Sequence, residues 1–308
     1  MRITILFCAL LGVGCETAAV APPPTTPHPY HAVDNGHFGS VDQLRTGEIN
    51  RFEFSNWRGT ALPVWMFVPD HVDPQVAPIL FVMHGAKRDP HRYLREWIEP
   101  ADRNGLIIIA PEFSRDDFPG SGAYNRGGVL DDNGNRRDEA EWSFSAIEPL
   151  FDQVRTALES SRNSYSMYGH SAGSQFVHRF LFFKPQARVD RYIAANAGWY
   201  TFPSADIDFP YGLRGSGVTQ QTIRNALAKQ VIVLLGDADT DPNHSSLRRS
   251  PDAMRQGAHR FARGLRFFES AEHIAASQEL PFQWSLDVVE GVAHSNGGMA
   301  SAAAEWID

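Results

Sequence analysis

Apolar residues fall along this chain in two rhythms. Short unbroken runs occur at residues 62–69 ("LPVWMFVP"), 78–85 ("PILFVMHG") and 105–113 ("GLIIIAPEF"). They recur at 164–171 ("SYSMYGHS"), 191–198 ("RYIAANAG"), 230–239 ("QVIVLLGDAD") and 282–291 ("FQWSLDVVEG"). Runs of this length read as strands buried on both faces, as in a parallel sheet covered by helices. The segments between them have helical spacing. "RYLREWIEPADRNG" closes on Gly105, and "FSAIEPLFDQVRTALESS" puts Ile147, Leu150, Phe151, Val154 and Leu158 on one stripe. "AGSQFVHRFLFF" follows Ser171, and residues 252–277 predict one long helix weakened by Gly257 and Gly264. Strand, crossover helix and strand in repetition predict a single α/β domain with a mainly parallel sheet flanked by helices, spanning residues 39–308.

The first 38 residues break the pattern. Arg2 precedes an apolar run at 3–13 that is too short to span a bilayer. It reads as a secretory signal, so the protein is expected to be exported. "LLGVGC" resembles a bacterial lipoprotein box, with Cys15 as the residue to be cleaved before and lipidated. Cleavage near "TAAVA" would instead free the protein, and both readings stand. The first predicts a periplasmic protein tethered to the outer membrane, the second a free periplasmic or extracellular one. "APPPTTPHP" at 21–29 reads as an extended tether. Both cysteines, Cys8 and Cys15, lie in this leader, so the domain beyond it holds no disulfide. A core of this size needs none.

The composition is that of an ordinary globular protein, 43% hydrophobic and 21% charged, with a net charge of −8. That balance argues against a nucleic-acid partner. Nothing points to an obligate protein partner. No histidine pairing or cysteine set suggests a metal site, and no phosphate or dinucleotide loop is present. "DDNGNRRDE" at 131–139 lacks the glycine position and closing glutamate of a calcium loop and reads as a solvated turn. No cofactor is expected.

Candidate chemistry gathers just past the predicted strand ends, where open α/β sheets place their ligand crevice. "GHSAG" sets Ser171 between Gly169 and Gly173 at a strand-to-helix junction. So sharp a turn lifts the hydroxyl above the sheet and needs glycines where side chains would collide. A serine hydroxyl requires a base. In strand–turn–helix sites of this kind the acid and then the histidine follow the serine along the chain. "DADTDPNH" offers Asp237, Asp239 and Asp241, with Asp239 leading and Asp241 second. "EGVAHSNGG" offers His294 in a loop before a terminal helix. His259 and His273 fall in a helical run, His244 in the acid loop, and His84 and His170 beside glycine turns in supporting positions. The oxyanion donors expected are the backbone N–H groups of Ala172 and Ala86, with Lys87 as alternative to the latter.

Carried on "HGA" at 84–86, "GHSAG" at 169–173, "GDADTDP" at 236–242 and "AHSNGG" at 293–298, the chain resembles the α/β-hydrolase superfamily. Within it the likeness is to esterases of the polyhydroxybutyrate depolymerase and feruloyl esterase group. The resemblance implies an α/β-hydrolase fold and a serine esterase that forms an acyl-enzyme. Ser171 would be the nucleophile, His294 the acid–base and Asp239 its orienting partner. The substrate implied is a small or oligomeric carboxylic ester. No linker or polymer-binding domain follows, so activity on a solid polymer is not expected. A peptidase or amidase on the same triad is the alternative, and a non-catalytic binding protein on this fold the more distant one. Residues 199–217 occupy the place of a cap but are short and aperiodic. No large cap domain and an open cleft are therefore expected, with Trp199 and Tyr200 as an apolar substrate wall.

Overall fold

The computed structural model describes residues 37–308. Nine strands form one sheet there, in the order β1-β2-β3-β5-β4-β6-β7-β8-β9. They are β1 (His37–Phe38), β2 (Ile49–Phe54), β3 (Leu62–Phe67), β4 (Ile79–Met83), β5 (Ile107–Pro111), β6 (Tyr165–His170), β7 (Val189–Ala195), β8 (Val231–Gly236) and β9 (Trp284–Val289). From β5 to β9 every neighbouring pair is parallel, and β3 runs antiparallel to both β2 and β5. The helices are α1 (Pro90–Asn104), α2 (Gly120–Ala123), α3 (Ile147–Ala157), α4 (Ala172–Phe183), α5 (Gln220–Leu227), α6 (Pro251–Gln256), α7 (Arg260–Ser277) and α8 (Asn296–Ala304).

Strand side chains alternate between two cores, as the pleat requires. Phe81, Met83, Ile109, Met167 and Val233 pack on one face with α3, α4, α5 and α7. Leu80, Val82, Ile108, Tyr168 and Leu234 pack on the other with α1 and α8. Both faces are covered, which is why the central strands read as continuous apolar runs. α4 is buried along its whole length. It holds His178 and Arg179 inside the core, where each must find partners in the protein.

Four sequence expectations change. β2, "INRFEF", was not anticipated, because it lies next to the edge and its Asn50, Arg51 and Glu53 break the apolar run. The tether was expected to reach residue 38, but His37 and Phe38 already pair with Asn50 and Arg51. The rest of the predicted leader, Cys15 included, lies outside the described residues. The long helix at 252–277 is two, α6 and α7, because Gly257 adopts φ +151° between them. The short polar helix α5 went unseen. Among the described residues no helix is long and apolar enough to cross a membrane.

Three histidines are locked inside as neutral rings. Burial lowers His84 to about 3 and drives His170 and His178 well below 6.5. Their partners agree with neutrality: His178 Nδ1 faces the Ser174 carbonyl at 2.8 Å while Nε2 accepts from Thr201 N at 3.0 Å. Unfolding lets all of them take up protons below about pH 6.5. Because the unfolded state then binds more protons, stability falls as pH falls, by up to about 1.4 kcal/mol per histidine per pH unit. Urea unfolding midpoints at pH 7 and pH 5 test this, and equal midpoints would contradict it.

Candidate active site

The site is built at the carboxyl ends of β4, β6, β8 and β9. β6 turns into α4 at Ser171, whose φ of 59° and ψ of −113° lie outside the regions open to most L-residues. Such a turn forms only if the flanking backbones can touch. A Cβ on Gly169 would overlap the Gly173 carbonyl, and one on Gly173 would overlap the Met83 carbonyl of β4. The half-buried Ser171 hydroxyl is thereby held above the sheet.

β9 ends in a loop that brings His294 over the serine. Its Nε2 lies 3.0 Å from Ser171 Oγ and its Nδ1 2.7 Å from Asp239 Oδ2. An ionised carboxylate only accepts, so Nδ1 carries the proton and Nε2 is free to accept from the hydroxyl. Asp239 follows β8 and is 3% exposed. Burial alone would raise its pKa, but the hydrogen bond and charge of His294 and the Arg260 guanidinium outweigh it, and the carboxyl sits below its ordinary value. For His294 burial is the largest influence. Together with the positive charge of Arg260 it holds the imidazole below 6.5, against the pull of Asp239. The other two acids have different work. Asp237 accepts from Gly291 N at 2.7 Å and closes the turn after β9, while Asp241 is exposed and caps its own loop at Asn243 N.

A cleft of about 490 Å³ opens beside Ser171, lined by Ala86, Ala172, Asn125, Gln175, Trp199 and Arg248 among others. Ala172 begins α4, so its N–H is one the helix cannot pair. The loop carrying Ala86 is pinned by Arg115, which donates to the Ala86 carbonyl at 2.9 Å, and by Arg88, which donates to the carbonyls of Phe113, Phe118 and Gly120. Lys87 next to it is exposed and absent from the lining. Trp199 lines the cleft, its ring 4.1 Å from the Arg179 guanidinium and 5.1 Å from that of Arg248. Tyr200 does not line it. Expected on the substrate wall, it is fully buried and stacks on Phe267 at 4.5 Å, because the backbone bends at Gly198 and Trp199 and turns the next side chain into the core. Residues 201–219 contain no regular helix or strand, consistent with the absence of a large cap.

Comparison with known proteins places the fold. A poly(aspartic acid) hydrolase-1 from Sphingomonas sp. KT-1 superposes with a TM-score of 0.83 at 45% identity, over 86% of this chain and 99% of that one. The chain belongs to the α/β-hydrolase superfamily. A poly(3-hydroxybutyrate) depolymerase from Bordetella parapertussis matches with a TM-score of 0.78 at 34% identity, over 85% and 90% of the two chains. An S-formylglutathione hydrolase from Agrobacterium tumefaciens, 15% identical over 85% and 94% with a TM-score of 0.56, shares the fold. No protein-family model matches the chain, and no curated protein does. This α/β-hydrolase is thus an enzyme of the esterase and depolymerase kind.

Several site residues were invisible in sequence. Asn196, at φ +46°, accepts from Gly236 N at 2.9 Å and donates to the Ala293 carbonyl at 3.3 Å, tying the ends of β7 and β8 to the His294 loop. Arg88 and Arg115 hold the Ala86 loop, and Arg260 reaches Asp239. Only Arg88, three residues past Gly85, had a positional signal. One further cluster among the described residues, Asp70, His71 and Asp102, brings potential metal-ligand atoms within 4.8 Å, and two of the three are exposed. Carboxylates beside an exposed imidazole make an ordinary surface ion pair.

The glycine contact gives a direct test of the turn. Gly173→Ala is expected to lower stability by about 3 kcal/mol, because the added methyl must push β4 and α4 apart. Urea unfolding measures it, and a loss within error of zero would mean the turn is not sterically constrained.

Proposed function

We propose that the protein is an exported serine hydrolase that cleaves carboxylic esters through Ser171, His294 and Asp239. The observation carrying this reading is the unbroken hydrogen-bonded line from Ser171 Oγ through the His294 ring to Asp239. In the first half-reaction Ser171 Oγ attacks the ester carbonyl carbon and its proton passes to His294 Nε2. The carbonyl oxygen, now negative, is taken up by the N–H groups of Ala86 and Ala172. The intermediate collapses, the alcohol leaves with the proton from Nε2, and an acyl-serine remains. Water attacks that ester with His294 again as base, releasing the acid and the free serine. Asp239 stabilises the imidazolium formed in each step.

The substrate class follows from the charge of the cleft. Its lining contains Arg88, Arg115 and Arg248 and no carboxylate. Arg88 is half-buried among backbone carbonyls, while Arg115, which also donates to the Ala86 carbonyl, and Arg248, which donates to the Tyr211 hydroxyl, lie exposed on the rim. A rim of this sign suits acyl chains that carry carboxylates, since arginine pairs with carboxylate bidentately. Amide cleavage on the same triad is a second reading, favoured by one observation. The relative at 45% identity is named for poly(aspartic acid), a polymer of amide-linked units with free carboxylates.

The leader fits the same picture. Residues 1–36 serve as an export segment and tether, Cys15 is the lipidation point if the protein is anchored, and the catalytic domain begins at the first strand, at His37.

Two measurements test the reading. On nitrophenyl esters of increasing acyl length, Ser171→Ala is expected to lower kcat/KM by roughly four orders of magnitude or more, with labelling by an alkyl fluorophosphonate abolished. A variant that still turns over would remove Ser171 from the mechanism. Arg248→Ala is expected to raise KM for a nitrophenyl hemisuccinate about tenfold while leaving the neutral butyrate ester unchanged, the loss of one charge-assisted pair. An equal effect on both esters would mean the rim does not read charge.

A further inference from the structure

Arg260 is the first residue of α7, and 1% of its side chain is exposed. Its position is unfavourable on two counts. A cation meets the positive end of the helix dipole there, and a buried guanidinium loses its water. Its contacts explain why it is tolerated. Nη1 donates to Asp239 Oδ1 at 3.2 Å, and Nη2 donates to Ser246 Oγ at 2.9 Å and faces His244 Nδ1 at 3.3 Å. The two oxygens of Asp239 are thus divided, one for Arg260 and the other for His294. The main chain follows the same course, with Phe261 N donating to the Asp239 carbonyl at 3.2 Å.

We propose that Arg260 is a positioning residue for the reaction: it clamps the Asp239 carboxylate and, as a fixed cation behind it, keeps the His294 imidazole in its base form in mildly acidic water. The inference rests on the proposed triad. A carboxylate facing only the imidazole would stabilise the imidazolium strongly and leave it protonated at a higher pH. Dividing that carboxylate with a guanidinium offsets part of its charge.

The groups around the pair leave this role to Arg260. His294 faces Ser171, Asp239, the His170 ring at 4.5 Å and the His244 ring at 5.6 Å. His170 is buried and neutral, and its Nδ1 is engaged with the Tyr93 hydroxyl at 3.1 Å. His244 acts on His294 in the same direction as Arg260, but it is partly exposed and its Nδ1 lies 3.0 Å from Ser246 Oγ. Behind Arg260 stand Arg263, which donates to the Gly257, Gly198 and Arg248 carbonyls, and Tyr200, whose hydroxyl accepts from Ala197 N. Among the described residues, Asp239 is the one carboxylate hydrogen-bonded to Arg260 or to His294.

The competing account is that Arg260 only staples the loop after β8 to α7. A readout that follows the charge state of His294, and needs no knowledge of the substrate, separates the two. The rate at which an alkyl fluorophosphonate modifies Ser171 in the full chain is measured between about pH 4.5 and 8.5, with the site identified by peptide mass spectrometry. In the wild type the rate is expected to fall at low pH with a half-point below 6.5. Arg260→Gln, which keeps donors but no charge, is expected to move that half-point up by about one pH unit. Arg260→Lys is expected to restore it. An unmoved or lowered half-point in Arg260→Gln, with only the plateau reduced, overturns the proposal in favour of the staple. Ser246→Ala removes a staple contact and keeps the charge. Its half-point is expected to stay at the wild-type value, and a shift there also overturns the proposal, even if Arg260→Gln does not fold. A wild type not modified at Ser171 would mean that the triad reading itself has failed, a separate result.

Discussion

The close contact between the start of α4 and the end of β4 is the constraint on which the site depends. Gly173 lies against the Met83 carbonyl and Gly169 against Gly173, with no room for a side chain at either position. Because the backbones touch, Ser171 is forced to a positive φ and its hydroxyl stands clear of the sheet. The same contact aims the first N–H of α4 at the space above the serine. The loop carrying Ala86 leaves β4 beside the point of contact, so both expected oxyanion donors are set by one packing event.

Charge is used inside this protein to hold backbone together. Arg179 and Arg263 are fully buried, and neither has a carboxylate among its hydrogen-bond partners. Arg179 donates to Thr201 Oγ1 and to the carbonyls of Asn125 and Gln175, while Arg263 donates to those of Gly257, Gly198 and Arg248. Apart from the Gln175 carbonyl within α4, the carbonyls they take belong to residues outside the strands and helices, whose backbone must find partners elsewhere. The domain beyond residue 38 has no cysteine, and these guanidinium hubs supply cross-links that a disulfide would otherwise give. Burial lowers the proton affinity of both, Arg263 to about 10, which still leaves it charged at neutral pH.

The cleft takes its sign from other arginines, Arg88, Arg115 and Arg248. The Trp199 ring has both the Arg179 and the Arg248 guanidinium groups within the range in which a cation is attracted to an indole face. The aromatic wall expected from sequence is thus one ring, beside positive charge. That ring and those charges are what the proposed preference for carboxylate-bearing acyl groups rests on. They also make the likeness to a hydrolase of poly(aspartic acid) and to a depolymerase of a neutral polyester informative, because the two polymers differ in charge and in the bond cleaved.

By itself the sequence determined which runs become the central buried strands, the serine turn and the loops bearing Asp239 and His294. Those features depend on local composition: an apolar run buried on both faces, glycines at a turn too tight for side chains, and polar residues just past strand ends. Only the tertiary structure decided the rest. Asp239 rather than Asp241 meets His294 because of how the loop after β8 folds under α7, a contact between residues 55 apart. Tyr200 went to the core and Trp199 to the cleft through a backbone bend that aperiodic sequence does not show. Arg260 lies in the run expected to form one long helix and carried no signal of its own, yet it is buried beside Asp239, which arrives from another part of the chain. Hydrophobic pattern is written in neighbours along the chain, whereas the partner of a buried charge is chosen by what the fold brings beside it.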